Sequence, residues 1–522
     1  MRRFFAVVFA AFFTLLFCGC SKKPFSSDAE ICARQKILLV GNSTDPASLD
    51  PSIATGLSES KIIAALFEGL VSPDESTLQI KPAQAESWTI SPDGKTYVFK
   101  IRKTAYWSNG DKVKAGDFVY AWRRILNPKL GAEYAGMLYV IKNARDINKG
   151  KKEPSMLGAK ALDESTLLVE LERPRNDFLN FLYHTSYMPL NQKNLEAFNA
   201  YASRRSKWTR PENMVVNGAF KLARYEINSQ VQVEKNPTYW DAKNININGI
   251  RFLPITNMNT EDRAFFAGQL HLTDSVSAIR LEKENKKASG YMQKGDWYAT
   301  YYYVFNTKRP PFDNPLVRRA FSLAVNRTPI IDSCMKGGQS PAYSLVPDLN
   351  VNDKARAENI ELAKELLAKA GYPNGKGFPK IRLVYNTSQQ HKPIAESLQE
   401  CLRKNLGVFV ELYNLSWPAY LDARSKGDFD MTRASWTADY LSPESFLSNF
   451  LSDSPLNNSG WKNSEFDRAV FEQRYKDAQK IMDDNAVVLP LFYYKRIFLK
   501  SPLLKGWCTN KLDSHNYKSA HF

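Results

Sequence analysis

The segment Asp422–Tyr440 includes Arg424, Arg433, Asp439 and the two large rings Trp436 and Tyr440 among its charged and aromatic residues. A fixed anion and fixed cations on one short segment suit a zwitterion such as a peptide, which can be held by its charged ends whatever lies between them. A second basic candidate, His391, follows Asn386-Thr387-Ser388-Gln389-Gln390, and Trp417 and the run Tyr301–Tyr303 add further rings. Rings supply apolar area at low entropic cost and tolerate water at their edges. Each residue also has an ordinary structural use. Asp439 could cap a helix or pair with Arg433, Arg424 and Arg433 could be surface ion-pair partners, and His391 could be a solvated surface histidine. At least half of the rings are expected in the core.

The elements that must position these groups are legible in places. Ala85 to Trp122 contains two tight-turn dipeptides, Asp93-Gly94 and Asn109-Gly110. Between them Tyr97, Phe99 and Ile101 alternate with Val98, Lys100 and Arg102, the period of a half-buried strand. The corner Ala115-Gly116-Asp117 then places an acid at the start of a helix, where it can satisfy orphan N–H groups. Lys36 to Val40 reads as a short apolar strand, followed by the turn Ser48-Leu49-Asp50-Pro51 and a helix bearing Ile62, Ile63, Leu66, Phe67 and Leu70. Tyr301 to Phe305 reads as an aromatic strand, and Pro310 to Asn314 as a turn into a helix over Val317–Val325. Ala357 to Ala370 reads as an amphipathic helix with Ile360, Ala363, Leu366, Leu367 and Ala370 on one face, stopped by Gly371 and Pro373.

The stretch AESWTISPDGKTYVFKIRKTAYWSNGDKVKAGDFVYAW resembles the segment that marks peptide- and nickel-type periplasmic solute-binding proteins of ABC importers. Glu68-Gly69-Leu70, Asn217 to Leu222 and Glu234 to Trp240 resemble further landmarks, so the likeness spans essentially the whole mature chain and is nearest to oligopeptide binders. It implies an α/β fold of the periplasmic-binding-protein-like type, class II, with two lobes around a hinge and an extra third domain. Lobe I would comprise 36–71, 197–298 and 507–522, the extra domain 72–196 and lobe II 299–506. By the same resemblance, Asp439 pairs with a peptide's ammonium, Arg424 and Arg433 neutralise its carboxylate, and His391 serves peptides of another length. Glu59 faces the ligand from the opposite wall, and Trp436, Tyr440 and Trp417 border side-chain pockets. If the cations lie at different distances from Asp439, each serves one peptide length. Another basic position of the family is occupied here by Met335, with Lys336 adjacent. The resemblance implies no enzymatic activity, no cofactor and no metal. Its partners would be short peptides and the membrane subunits of an ABC permease, and the protein would act as a monomer.

A length of 522 residues exceeds one hydrophobic core and suggests about three domains. Arg2-Arg3, the apolar run Phe4–Phe17 and Cys18-Gly19-Cys20 resemble a lipoprotein signal over 1–19 with Cys20 as the lipidated residue. That run is shorter than the ~20 residues a spanning helix needs. Residues 20–35 would then be a tether holding the body to a membrane in the periplasm or cell envelope. Cys32, Cys334, Cys401 and Cys508 remain able to pair, in an order their spacing does not fix. The formal charge of +17 is dispersed along the chain without basic blocks, and with export it argues against nucleic acid as a partner. Ser58-Glu59-Ser60-Lys61 matches the SxxK of penicillin-binding enzymes, but SDN and KTG partners are missing from the sequence. A surface or adhesin lipoprotein and a murein-tripeptide binder are the competing readings.

Overall fold

The computed structural model describes residues 26–282, 290–347, 349 and 356–522. The expected signal segment and Cys20 lie outside these residues. The strands group into three main sheets and a small ribbon, β2 (Val71–Pro73) with β3 (Ile80–Pro82). The first sheet runs β1 (Ile37–Gly41), β10 (Gly249–Leu253), β9 (Gln230–Lys235), β8 (Phe220–Glu226), with β1 parallel to β10 and the other pairs antiparallel. The second, within 72–196, runs β4 (Ala85–Ile90), β5 (Thr96–Ile101), β7 (Thr166–Glu170), β6 (Ala159–Ala161). The third has six strands in the order β12 (Ser340–Pro341), β16 (Val488–Leu499), β11 (Met292–Phe305), β15 (Met431–Thr437), β13 (Ile381–Asn386), β14 (Val410–Leu415).

Local chemistry explains these elements. In β5 the alternation is as expected, with Tyr97, Phe99 and Ile101 buried. The helix after it spans Ala115–Ile125, and the Asp117 carboxylate accepts from the Lys114 N–H at 2.9 Å and from the Trp107 indole at 2.9 Å. Burial raises the pKa of Asp117 to about 6, so the carboxylate weakens the fold as pH rises through that value. The aromatic run in β11 is continuous because the strand is covered on both faces: Tyr301 and Tyr303 pack into one cluster and Tyr302 and Val304 into another. The helices expected after Pro311 and near residue 360 are Pro315–Leu323 and Ile360–Lys369, each N-capped by an asparagine side chain, Asn314 and Asn359.

The landmark Glu68 ties distant segments together. Its carboxylate accepts from Tyr239 Oη at 2.6 Å, Trp240 Nε1 at 2.7 Å and Gln84 Nε2 at 2.7 Å, and also meets Lys518. Gly69 beside it is required by close approach, since a Cβ there would lie 2.2 Å from the Leu182 carbonyl oxygen. Leu38 and Ile62 share one core with Phe99, Trp107 and Trp122, so the extra domain is fused to the first lobe.

Two long strands carry the chain between lobes. Met292–Asp296 of β11 pairs with Lys495–Leu499 of β16, Thr300–Val304 pairs with Val488–Tyr493, and the ladder is irregular between Asp296 and Thr300. On one side of that break Ile497 and Leu499 pack with Leu39, Ala264 and Leu270; on the other, Tyr301, Leu489 and Leu491 belong to the second lobe. The apolar face of β16 is therefore divided between two cores, with the change near Ile497. Residues 28–34 of the expected tether over 20–35 are folded. A helix spans Asp28–Arg34, with a capping box in which Ser27 Oγ accepts from the Glu30 N–H and the Glu30 carboxylate accepts from the Ser27 N–H. It is docked by neutral His271, whose Nδ1 accepts from the Leu39 N–H and whose Nε2 donates to the Ala29 carbonyl, each at 2.9 Å. Cys32, Cys334, Cys401 and Cys508 are all free thiols.

Candidate functional site

The central strand β15 sets both ends of the site. Arg433 lies opposite Tyr303 of β11, and Asp439 follows just after the strand ends at Thr437. At about 3.3 Å per extended residue, the six steps between them span ~20 Å.

Arg433 is only 7% exposed, yet no carboxylate among the described residues pairs with it. Its guanidinium donates to Ser435 Oγ at 2.9 Å, Tyr494 Oη at 3.2 Å and Asn386 Oδ1 at 3.3 Å, lies 4.9 Å from the Tyr301 ring centroid, and leaves Nε unpartnered. A surface ion pair is thus excluded for this residue. His391 opens the helix His391–Leu406 and is buried, its ring 5.6 Å from Tyr301 and its Nδ1 without a partner among the described residues. Burial first, and then Arg433, hold its pKa well below the usual histidine value. It is therefore neither a solvated histidine nor an independent cation, and it converges with Arg433 on one ring. Arg424 sits in the last turn of the helix Trp417–Lys426, 5.6 Å from the Tyr420 ring, with no acidic partner among the described residues. The Tyr420 hydroxyl in turn donates to the Arg433 carbonyl.

Asp439 neither pairs with Arg433 nor begins a helix. It accepts from Tyr134 Oη at 3.3 Å and Ser445 Oγ at 3.4 Å, and lies 3.3 Å from His184 Nε2. Since His184 Nδ1 accepts from the Ser186 N–H, the proton on Nε2 faces the carboxylate. Burial and Asp439 raise the Tyr134 phenol well above its ordinary pKa, which keeps it a donor. Tyr134, His184, Asn386, Ser435 and Tyr494 were not anticipated. Tyr134 stands 305 residues from Asp439 in sequence, and no local pattern marks that contact.

The rings divide. Trp436 packs against cores on both sides of the cleft, and Trp417 stacks on Tyr420 with centroids 5.5 Å apart; both indole N–H groups are buried without partners among the described residues. Tyr440 is 1% exposed and packs on Phe181 at 4.2 Å between centroids, which makes it a core ring that joins the extra domain to lobe II. Glu59 is 2% exposed, and its Oε1 accepts from the Ala47 N–H at 2.6 Å, with burial raising its pKa. That contact lies within lobe I, against the turn after β1, while Oε2 is buried without a partner among the described residues. The SxxK residues are likewise committed: Ser58 Oγ donates to the Asn42 carbonyl and Lys61 pairs with Asp274. No group of three His, Cys, Asp or Glu among the described residues is placed to hold a metal, and no described helix is long and apolar enough to cross a membrane.

A buried ion pair holds the extra domain against lobe II. Arg175 forks onto Glu444 at 2.8 and 2.7 Å and is also bound by Asp177. Glu444→Gln leaves Arg175 paired with Asp177, so the loss is confined to one charge-assisted contact, about 1–2 kcal/mol in favour of the open form. Small-angle scattering of the empty variant should show expansion and peptide affinity should fall several-fold; unchanged scattering and affinity would show that the pair does not contribute to closure.

The family model "Bacterial extracellular solute-binding proteins, family 5 Middle" matches residues 79–458. The periplasmic oligopeptide-binding protein OppA of Salmonella typhimurium is 35% identical over 498 residues, 91% of this chain and 90% of that protein. The crystal structure of Haemophilus influenzae OppA in complex with RPPGFSPFR superposes with a TM-score of 0.87 at 33% identity, covering 93% of this chain and 99% of that one. The unliganded open form of the murein tripeptide binding protein MppA, 32% identical and covering 94% of this chain and 98% of that one, gives a TM-score of only 0.63. At nearly equal identity the lobes stand as they do around a bound peptide, and not as in the open form.

Proposed function

The chain belongs to the family 5 bacterial extracellular solute-binding proteins, and on that footing we propose that it binds short peptides in the periplasm and delivers them to an ABC-type oligopeptide permease. The observation that carries the reading is Arg433, a buried guanidinium with no anionic partner among the described residues, on the strand that ends two residues before Asp439. A peptide's carboxylate completes the first and its ammonium the second. Trp417 and Trp436 offer N–H donors to backbone carbonyls or bridging waters in the groove between. The family is one of solute binders, so the SxxK string has no catalytic part in this reading. An adhesin role finds no support in these relatives. The murein-tripeptide alternative keeps its footing in the likeness to MppA. Lipidation of Cys20 would tether the body to a membrane through residues 20–27. Mass spectrometry of ligands that co-purify and are released by denaturation tests the reading: mixed short peptides support it, a single muropeptide selects the alternative, and a non-peptide solute overturns both.

The convergence of His391 and Arg433 on Tyr301 reduces the expected ladder of three cations to two stations, Arg433 with His391 and, separately, Arg424. In a matrix of di- to pentapeptides, Arg433→Ala and His391→Ala should therefore weaken the same length class, and Arg424→Ala a different one. Equal losses at every length would refute two stations.

Burial and Arg433 hold His391 neutral, and a carboxylate arriving beside it raises its pKa, so binding takes up a proton. Affinity for that length class should accordingly rise as pH falls toward the ordinary histidine range and be lost as pH rises through the bound-state value. The sign for the empty fold is opposite: with the folded pKa depressed, stability falls as pH drops below the unfolded value. Calorimetry in buffers of different ionisation enthalpy measures the uptake directly; none for wild type, or the same uptake for His391→Ala, would contradict it.

A further inference from the structure

A cavity of about 500 Å³ lies on lobe I under the N-terminal helix, and none of its lining residues belongs to the peptide site. Strand alternation builds it. Ile250 and Phe252 of β10 point into the main core, while Arg251 and Leu253 on the opposite face are half-buried, with Leu39 of β1 in register beside Arg251. The helix Asp28–Arg34 covers this face and brings Ile31 and Cys32, and Ala264 and Leu270 complete the apolar wall. The volume is within the range of small-molecule sites, ~300–1,000 Å³.

One cation stands in that wall. Arg251 has no carboxylate or other side-chain partner among the described residues, and its Nε is buried and unpartnered. The other charged residue of the lining, Asp28, lies one helical turn from Cys32 and forms no ion pair with Arg251. Burial raises the pKa of the Cys32 thiol, which leaves it neutral and adds no negative charge to the site. Gln35, Gln230 and Gln269 supply the remaining polar lining.

We propose that this cavity binds a small amphipathic carboxylate, its acid group on Arg251 and its alkyl body against Leu39, Leu253, Ile255, Ala264 and Leu270. An unpaired guanidinium beside an apolar hollow selects this class, because an uncharged hydrocarbon leaves the cation bare and a small polar anion leaves the hollow empty. The site is independent of peptide binding, and Cys32 in its wall is a built-in reporter.

The test uses the mature chain purified without detergent and decanoate as the probe. Calorimetry should show one decanoate site, with decanol about tenfold or more weaker because it cannot form the charge-assisted pair. Arg251→Gln should lose about tenfold for decanoate and little for decanol. Ala264→Phe should fill the hollow and abolish binding of both. Decanoate should slow alkylation mapped to Cys32 and not that mapped to Cys508. Both variants should bind a tripeptide as wild type does, which shows that they are folded and that the cleft is untouched. Absence of decanoate binding to wild type, equal affinity in Arg251→Gln, or displacement of decanoate by saturating tripeptide would each overturn the site.

Discussion

Asp439→Asn should lower tripeptide affinity by about 2–5 kcal/mol, because the ligand's ammonium then enters a closed cleft without its countercharge. The variant is nearly isosteric, and its amide oxygen still accepts from Tyr134 and from the proton on His184 Nε2, so the fold and the contact with the extra domain survive. What is lost is the charge alone. N-acetylated peptide should show a loss of similar size in wild type and little further loss in the variant, since each change removes one half of the same pair. Calorimetry of the two proteins with the two peptides forms the complete cycle. An Asp439→Asn affinity within threefold of wild type, or additive losses in the cycle, would place the ammonium elsewhere.

Local grammar made much of the scaffold legible. The alternation in Thr96–Ile101, the acid at the head of Ala115–Ile125 and the apolar stripe of Ile360–Lys369 were all readable from spacing. Ser27-Asp28-Ala29-Glu30 carried a readable capping box as well, but its polar setting suggested a tether; burial of Cys32 under the first sheet decided otherwise. The site was legible as a set of residue types and hidden as a set of environments. Sequence offered Asp439, Arg424, Arg433 and His391, but whether each is solvated or buried depends on β15 lying mid-sheet next to β11, a long-range pairing. The burial of Glu59 and Tyr440 was hidden for the same reason, since a position in sequence does not say which way a side chain points. Tyr134 and His184 lie far from Asp439 in sequence, and only the tertiary fold brings them to it.

Arg433→Met should separate binding from closure, with effects of opposite sign. In the closed arrangement the guanidinium is desolvated, and its partners among the described residues are all neutral: Ser435, Tyr494 and Asn386. Burying an unpaired charge is costly, and an apolar side chain of similar length removes that penalty. An open state that hydrates the same cation carries no such penalty. Arg433 therefore biases the empty protein toward the open form, and a peptide carboxylate reverses the bias by supplying the missing anion. Binding should weaken by about 2–5 kcal/mol for the length class whose carboxylate reaches this position. Small-angle scattering of the empty variant should nevertheless show a more compact molecule than wild type, and its thermal stability should be unchanged or raised. Asp439→Asn should not compact the empty protein, since Asp439 already has donors when the cleft is closed. A purely structural Arg433 would give the reverse pattern, with lost stability and no compaction. Unchanged affinity across di- to pentapeptides would remove the carboxylate from this end of the groove.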